Sequence, residues 1–195
     1  MGKREIGERA LRMRGWTMVG ETPPDPIVVF IAAPHTSNHD LMLMLWMTWS
    51  RGVHPRFLLK KEAFRGPAGV MFRTLGGISV DRDVPGGLVE ELVAEAKGTG
   101  QMAIVIAPEG TRGSARYWKS GFYRIAQALD VPICLAWCDG PTKTVGFGPT
   151  IRPTGDIRAD MDLIRAFYAD KRGVNPERRT EPRLREEDEP RERAS

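Results

Sequence analysis

The chain has 195 residues, 41% of them hydrophobic and 28% charged, with a formal net charge of +4 and a pI near 9.3. That size and balance describe one globular domain with a core of its own, and no stretch reaches the roughly 18 apolar residues of a spanning helix, so neither an integral protein nor a repeat array is expected. A mildly basic surface suits anionic lipid, phosphate or nucleic acid, and charge alone does not choose among them.

Residues 1–14 interleave Lys3, Arg4, Arg9, Arg12 and Arg14 with Ile6, Ala10, Leu11 and Met13. This reads as a basic amphipathic helix, either solvated or resting on anionic lipid, and it lacks the apolar core of a signal peptide. Trp16 to Val19 reads as a short strand and Thr22 to Pro26 as a rigid turn. Ile27 to Ala32 is apolar, β-branched and bounded by Pro26 and Pro34, the pattern of a buried strand. Behind it come His35-Thr36-Ser37-Asn38-His39-Asp40, and then Leu41 to Trp49, which is apolar nearly all round and predicts a buried helix whose methionines and tryptophans could also line a groove.

The histidine turn is where chemistry is expected. In open α/β sheets ligands bind at the carboxyl ends of strands, and a strand-to-helix turn holds side chains at that edge. On one continuous helix His35 and Asp40 would stand about 140° apart at roughly 100° per residue, but they can meet if His35 is still in the turn. Asp40, ionised at the helix start, would then accept from one ring nitrogen of His35 and leave the other to take a proton from a substrate hydroxyl.

Arg56 to Leu59 predicts a strand running into Lys60-Lys61-Glu62-Ala63-Phe64, residues 66–72 a short helix, and Ile78 to Val80 a strand that presents Asp81 and Arg82. An arginine fork at such an edge suits a phosphate. Residues 85–97 read as an amphipathic crossover helix, Met102 to Ala107 as a buried strand, and Pro108 to Arg112 as a turn in which Gly110 permits close backbone approach. Lys119 to Leu129 predicts a helix with Phe122, Ile125, Ala126 and Leu129 on its buried stripe, and Val131 to Trp137 another strand. Cys134 and Cys138, four apart along that strand, are too distant to bridge and read as packed thiols of a cytoplasmic protein. Val145 to Ile151 and Met161 to Tyr168 predict a last strand and helix, and residues 171–195, rich in charge and proline, a disordered tail.

Four segments together carry a resemblance. His35-x4-Asp40 after a strand, Gly77-Ile78-Ser79-Val80-Asp81-Arg82, Ala107-Pro108-Glu109-Gly110-Thr111-Arg112-Gly113 and Val131-Pro132-Ile133 resemble, in order, the four motifs of the glycerolipid acyltransferase superfamily (1-acylglycerol-3-phosphate acyltransferase-like), in particular its small bacterial members without obvious spans. The departures are Ala107, where many members have phenylalanine, Ser79, where an aromatic is common, Gly113, where serine is usual, and His39, often aromatic or apolar. They leave the dyad intact and bear on the acceptor.

The resemblance implies a single α/β domain with a central, mostly parallel sheet flanked by helices, spanning residues 15–170 between the basic segment and the tail. It implies His35 and Asp40 as the catalytic pair. Arg82, Glu109, Gly110, Thr111 and Arg112 are the implied acceptor-binding residues, with Lys60 in the family's lysine-containing segment. The implied reaction moves an acyl group from acyl-CoA or acyl carrier protein, as co-substrate and without a cofactor or metal, to a hydroxyl of a lysophospholipid. The implied setting is the cytoplasm, with an anionic inner membrane face as a candidate contact and no nucleic-acid partner. Two rivals stand beside it: a non-catalytic lipid-binding protein, and a metal-dependent hydrolase using His35, His39 and Asp40.

Overall fold

A computed structural model describes residues 2–80, 87–113 and 115–189. A seven-stranded sheet runs through it in the order β1-β7-β6-β2-β5-β3-β4. The strands are β1 (Thr17–Val19), β2 (Ile27–Ala33), β3 (Pro55–Lys60), β4 (Gly77–Val80), β5 (Met102–Ile106), β6 (Ile133–Asp139) and β7 (Thr144–Ile151). All pairings are parallel except the β6–β7 hairpin. This is the single α/β domain with a mostly parallel sheet that the resemblance implied.

β2 is the middle strand, flanked by β5 and β6. It is apolar throughout because a central parallel strand is covered on both faces. Alternation along the strands divides the core in two. Val29 and Ile31 join Ile104, Ile106, Ile133 and Leu135 on one face, beneath α4 (Leu88–Thr99), α5 (Gly121–Leu129) and α6 (Ile157–Tyr168). Val28 and Phe30 join Val105, Cys134 and Ala136 on the other, beneath α2 (Asp40–Ser50). The last described helix, α3 (Gly66–Thr74), lies between β3 and β4.

The all-round apolarity of α2 has a physical reason. Its outer side is covered by α1 (Lys3–Met13), which approaches so closely at Gly7 that a Cβ there would stand 2.5 Å from the Trp46 carbonyl oxygen. Leu11 is buried in the same contact. The apolar stripe of the N-terminal helix therefore faces protein, and its arginines and Lys3 face outward, with Lys3 over the Trp49 ring and Arg14 over that of Trp46.

The tail corrects the reading from composition. Within residues 171–189 Leu184 is fully buried in the core and Thr180 nearly so, and the Trp118 N–H donates to the Arg183 carbonyl at 2.7 Å. Few apolar residues suffice there because the anchoring is by hydrogen bonds, which composition does not register.

Candidate active site

The carboxyl ends of β2, β5, β3 and β4 lie along one edge of the sheet. β2 ends at Ala33, and residues 34–39 form the turn into α2, whose first residue is Asp40. The turn is folded around that carboxylate. Asp40 Oδ2 accepts from the backbone N–H groups of Thr36 at 2.7 Å and Ser37 at 2.8 Å, and stands 3.1 Å from His35 Nδ1. Facing a carboxylate, Nδ1 carries the ring proton, so Nε2 is the basic nitrogen. The imidazole is about one-fifth exposed at the edge of a cavity, while Asp40 is buried.

A second acid holds the same turn from below. Glu109, the first residue after Pro108 beyond β5, is 3% exposed and its Oε1 accepts the His35 N–H at 2.8 Å. Among the described residues Oε2 has no partner. Burial in this surrounding pushes the Glu109 carboxyl from its ordinary 4.5 up to about 7, against the opposing pull of the His35 N–H and its own backbone. Consecutive residues 35, 36 and 37 thus each give a backbone N–H to one of two buried carboxyl groups.

The cavity, about 90 Å³, opens between this turn, α2 and the sheet. Its floor is apolar: Met44 and Met47 from α2, Phe57 and Leu59 from β3, and Trp137 from β6. Arg112 stands at its rim, exposed and in no ion pair with any described residue. The arrangement is a basic nitrogen and a cation at the mouth of a greasy pocket.

The other sequence-derived site residues fall at different depths. Gly110 turns the chain at φ +65° and Thr111 is exposed, its hydroxyl accepting from the Gly113 N–H at 3.4 Å; neither lines the cavity. Glu109 lies beneath the turn, where its carboxyl accepts the His35 N–H, and it does not line the cavity. Lys60 ends β3 at the same edge and is exposed, but does not border the cavity. Arg82 lies outside the described residues. Val131-Pro132-Ile133 sits at the far end of the sheet, since Ile133 pairs with Val29 while Trp137 pairs with Ala33. Four residues of strand put it about 13 Å from the cavity end, where it serves the core.

His39 does not join the dyad; it is exposed, with Nδ1 3.2 Å from Ser37 Oγ. Among the described residues no three His, Cys, Asp or Glu side chains gather to hold a metal. Cys138 borders the cavity, but burial pushes its thiol well up, and that of Cys134 up to about 12, so both are protonated and neither is a ready nucleophile. Sequence reasoning missed the walls from β3 and β6, because an apolar residue at a strand's carboxyl end has no signature distinguishing cavity from core. It also missed Asn175, which is bonded to the Thr36 backbone from a segment whose composition reads as disordered.

Comparison with known proteins bears on the family and the fold. A family model described as acyltransferase matches residues 20–138, which run from just before β2 to the end of β6. No curated protein matches the chain. Among solved structures the fold is similar to the 1-acyl-sn-glycerophosphate (LPA) acyltransferase PlsC of Thermotoga maritima, with a TM-score of 0.62 and 17% identity over 85% of this chain and 74% of that one.

Proposed function

The chain belongs to the acyltransferase family, and we propose that it moves a fatty acyl group from a thioester, acyl-CoA or acyl carrier protein, to a hydroxyl of a lysophospholipid such as 1-acylglycerol 3-phosphate. The observation that carries this reading is the 3.1 Å contact of His35 Nδ1 with Asp40, which leaves Nε2 basic at the edge of an apolar cavity. The acyl chain lies among Met44, Met47 and Phe57, and the thioester carbonyl sits at the mouth. His35 Nε2 takes the acceptor's proton as its oxygen attacks that carbonyl. The tetrahedral intermediate collapses by expelling the thiolate, which recovers the proton from the imidazolium. Asp40 keeps the ring in the required tautomer and stabilises its transient charge. No cofactor enters the balance, and no serine or cysteine nucleophile is needed.

Arg112, at the rim and unpaired among the described residues, binds the acceptor's phosphate, Lys60 adds positive charge at the same edge, and Arg82 is assigned to the acceptor by its motif alone. The basic outer side of α1 meets anionic lipid head groups by charge, since its apolar stripe is already used against α2. No described helix is long and apolar enough to cross a membrane.

The test is release of free CoA from a long-chain acyl-CoA, with and without a panel of lysophospholipids, in wild type and His35→Ala. The expected result is acceptor-dependent release that falls by a factor of roughly 10² to 10⁴ in the variant. Equal rates in the two proteins would overturn the mechanism, and lipid binding without release under either donor would leave a non-catalytic binding protein.

A further inference from the structure

Beyond α6 the chain crosses back over the carboxyl edge of the sheet. It is pinned first to the end of β6, where the Arg172 N–H donates to Asp139 Oδ1 at 2.9 Å and the Gly140 N–H to the Gly173 carbonyl at 2.9 Å. It then meets the histidine turn. Asn175 gives its backbone N–H to Thr36 Oγ1 at 3.0 Å and its side-chain Nδ2 to the Thr36 carbonyl at 2.9 Å. Gly173 lies so near that a Cβ there would stand 2.8 Å from Thr36 Oγ1 and 3.2 Å from Pro34. Thr36 is thereby held on two sides, by Asn175 through its carbonyl and hydroxyl and by Asp40 through its N–H.

Five residues further on, the same segment reaches the loop that carries Arg112. Thr180, buried, accepts the Ala115 N–H at 3.1 Å and donates its hydroxyl to the Gly113 carbonyl at 3.4 Å. The far end of the segment is anchored by Leu184, fully buried, and by the bond from the Trp118 N–H to the Arg183 carbonyl. The histidine turn and the arginine loop lie more than seventy residues apart in sequence and leave neighbouring strands, and this segment is bonded to both.

We infer that residues 172–184 form a strap that sets the histidine turn and the arginine loop relative to one another, with Asn175 and Thr180 as its positioning residues. The inference rests on the roles given to His35, Asp40 and Arg112 above. Asn175 acts through Thr36: it fixes the peptide whose N–H aligns Asp40, and so the ring that Asp40 orients. Thr180 acts through the Gly113 and Ala115 peptides and so sets where the Arg112 guanidinium stands. Neither touches the reacting atoms. Because the two ends support different groups, their loss has different kinetic signatures, which a general loosening of the fold would not produce.

The experiment compares the full chain with Asn175→Ala, Thr180→Ala and Thr180→Ser, by steady-state kinetics and by amide hydrogen exchange read residue by residue. Asn175→Ala is expected to lower kcat roughly tenfold with the acceptor KM unchanged, and Thr180→Ala to raise the acceptor KM by a similar factor with kcat unchanged. Thr180→Ser, which keeps the hydroxyl, restores the KM. Exchange is read without substrate. The Thr36 and Ser37 amides should exchange roughly tenfold faster in Asn175→Ala, while that of Ala115 does so only in Thr180→Ala. Unchanged protection of Thr36 and Ser37 in Asn175→Ala overturns the strap whatever the activity. So does a matched fall of kcat and rise of KM in both variants. If the wild-type chain transfers no acyl group, the functional reading fails and the exchange pattern alone decides the strap; should Thr180→Ala not fold, Asn175→Ala and Thr180→Ser decide it.

Discussion

Glu109→Gln separates the charge of the acid beneath the histidine turn from its hydrogen bond. The wild-type carboxyl is 3% exposed, accepts one N–H through Oε1 and leaves Oε2 without a partner among the described residues. Burial raises it from 4.5 to about 7. Below pH 4.5 the folded and unfolded chains both hold this proton, and the contribution to stability is fully present. Between 4.5 and about 7 the unfolded chain has released the proton and the native state still binds it, so stability falls as pH rises. Above about 7 the loss is complete and amounts to about 3 kcal/mol, at about 1.36 kcal/mol per unit of pKa. Glutamine keeps the oxygen that accepts from His35 and does not titrate. Urea unfolding of the two proteins at about pH 4, 6 and 8 should therefore show the variant gaining on wild type by about 3 kcal/mol from the lowest pH to the highest. The new amide N–H₂ has no acceptor among the described residues either, but that cost is the same at every pH and leaves the slope untouched. A gap between the two proteins that does not change with pH would refute the reasoning.

Three further substitutions probe the site and its support. Asp40→Asn can keep an oxygen at the one position that meets the Thr36 and Ser37 N–H groups and His35 Nδ1, its N–H₂ taking the place of Oδ1, and removes the charge that stabilises the imidazolium. Thermal unfolding should change little while kcat falls by roughly 10² or more; retention of wild-type kcat would remove Asp40 from the mechanism. Arg112→Ala should raise the acceptor KM about tenfold or more for phosphate-bearing acceptors, with no change for a neutral alcohol of equal chain length, and an equal effect on both would argue against a phosphate contact. Gly7→Ala places a methyl group 2.5 Å from the Trp46 carbonyl oxygen and 2.8 Å from the Ser50 nitrogen. Both are backbone, so α1 must move off α2; a loss of about 1–3 kcal/mol in chemical denaturation is expected, and an unchanged midpoint would show that α1 docks otherwise.

Much of the architecture was legible because it follows from periodicity. Ile27 to Ala32, Met102 to Ala107 and Val131 to Trp137 read as buried strands and lie side by side at the centre of the sheet, their bounds shifted by no more than two residues. The His35–Asp40 meeting was legible too, because a capping-type run after a strand places both residues in one turn. What composition hid were features made by backbone contact. Leu11 and Ile6 pattern the same whether a helix floats on lipid or docks on protein, and only Gly7 hints at the docking. The tail reads as disorder because Arg, Glu and Pro dominate it, yet Asn175 and Thr180 hold it with hydrogen bonds to two loops. Glu109 was noticed as chemistry-bearing, but its depth could not be read: a glutamate in a Pro-Glu-Gly turn looks exposed until the strand before it is placed.

The site is assembled against stability, and the fold around it supplies the difference. An acid buried at a cost of about 3 kcal/mol near neutral pH and an open cavity under α2 would both be removed by a sequence selected for packing alone. They persist where the turn needs them. A catalytic base must present one nitrogen in one direction, and packing cannot orient a ring that has to face an open pocket. Directional hydrogen bonds can, and the donors at hand are the backbone N–H groups of residues 35 to 37. Accepting all three takes acceptor oxygens inside the turn, and two carboxyl side chains supply them. Asp40 gathers two N–H groups and a ring nitrogen at the start of a helix, whereas Glu109 gathers one N–H, and burial raises its carboxyl to about 7. The opposing stabilisation comes from the face of the sheet away from the cavity, where α4, α5 and α6 bury Phe122, Ile125, Met161 and Ile164 completely or nearly so. Rigidity is thus concentrated behind the sheet and freedom of shape in front of it, the division that the proposed transfer, with a fixed base beside a flexible acyl chain, requires.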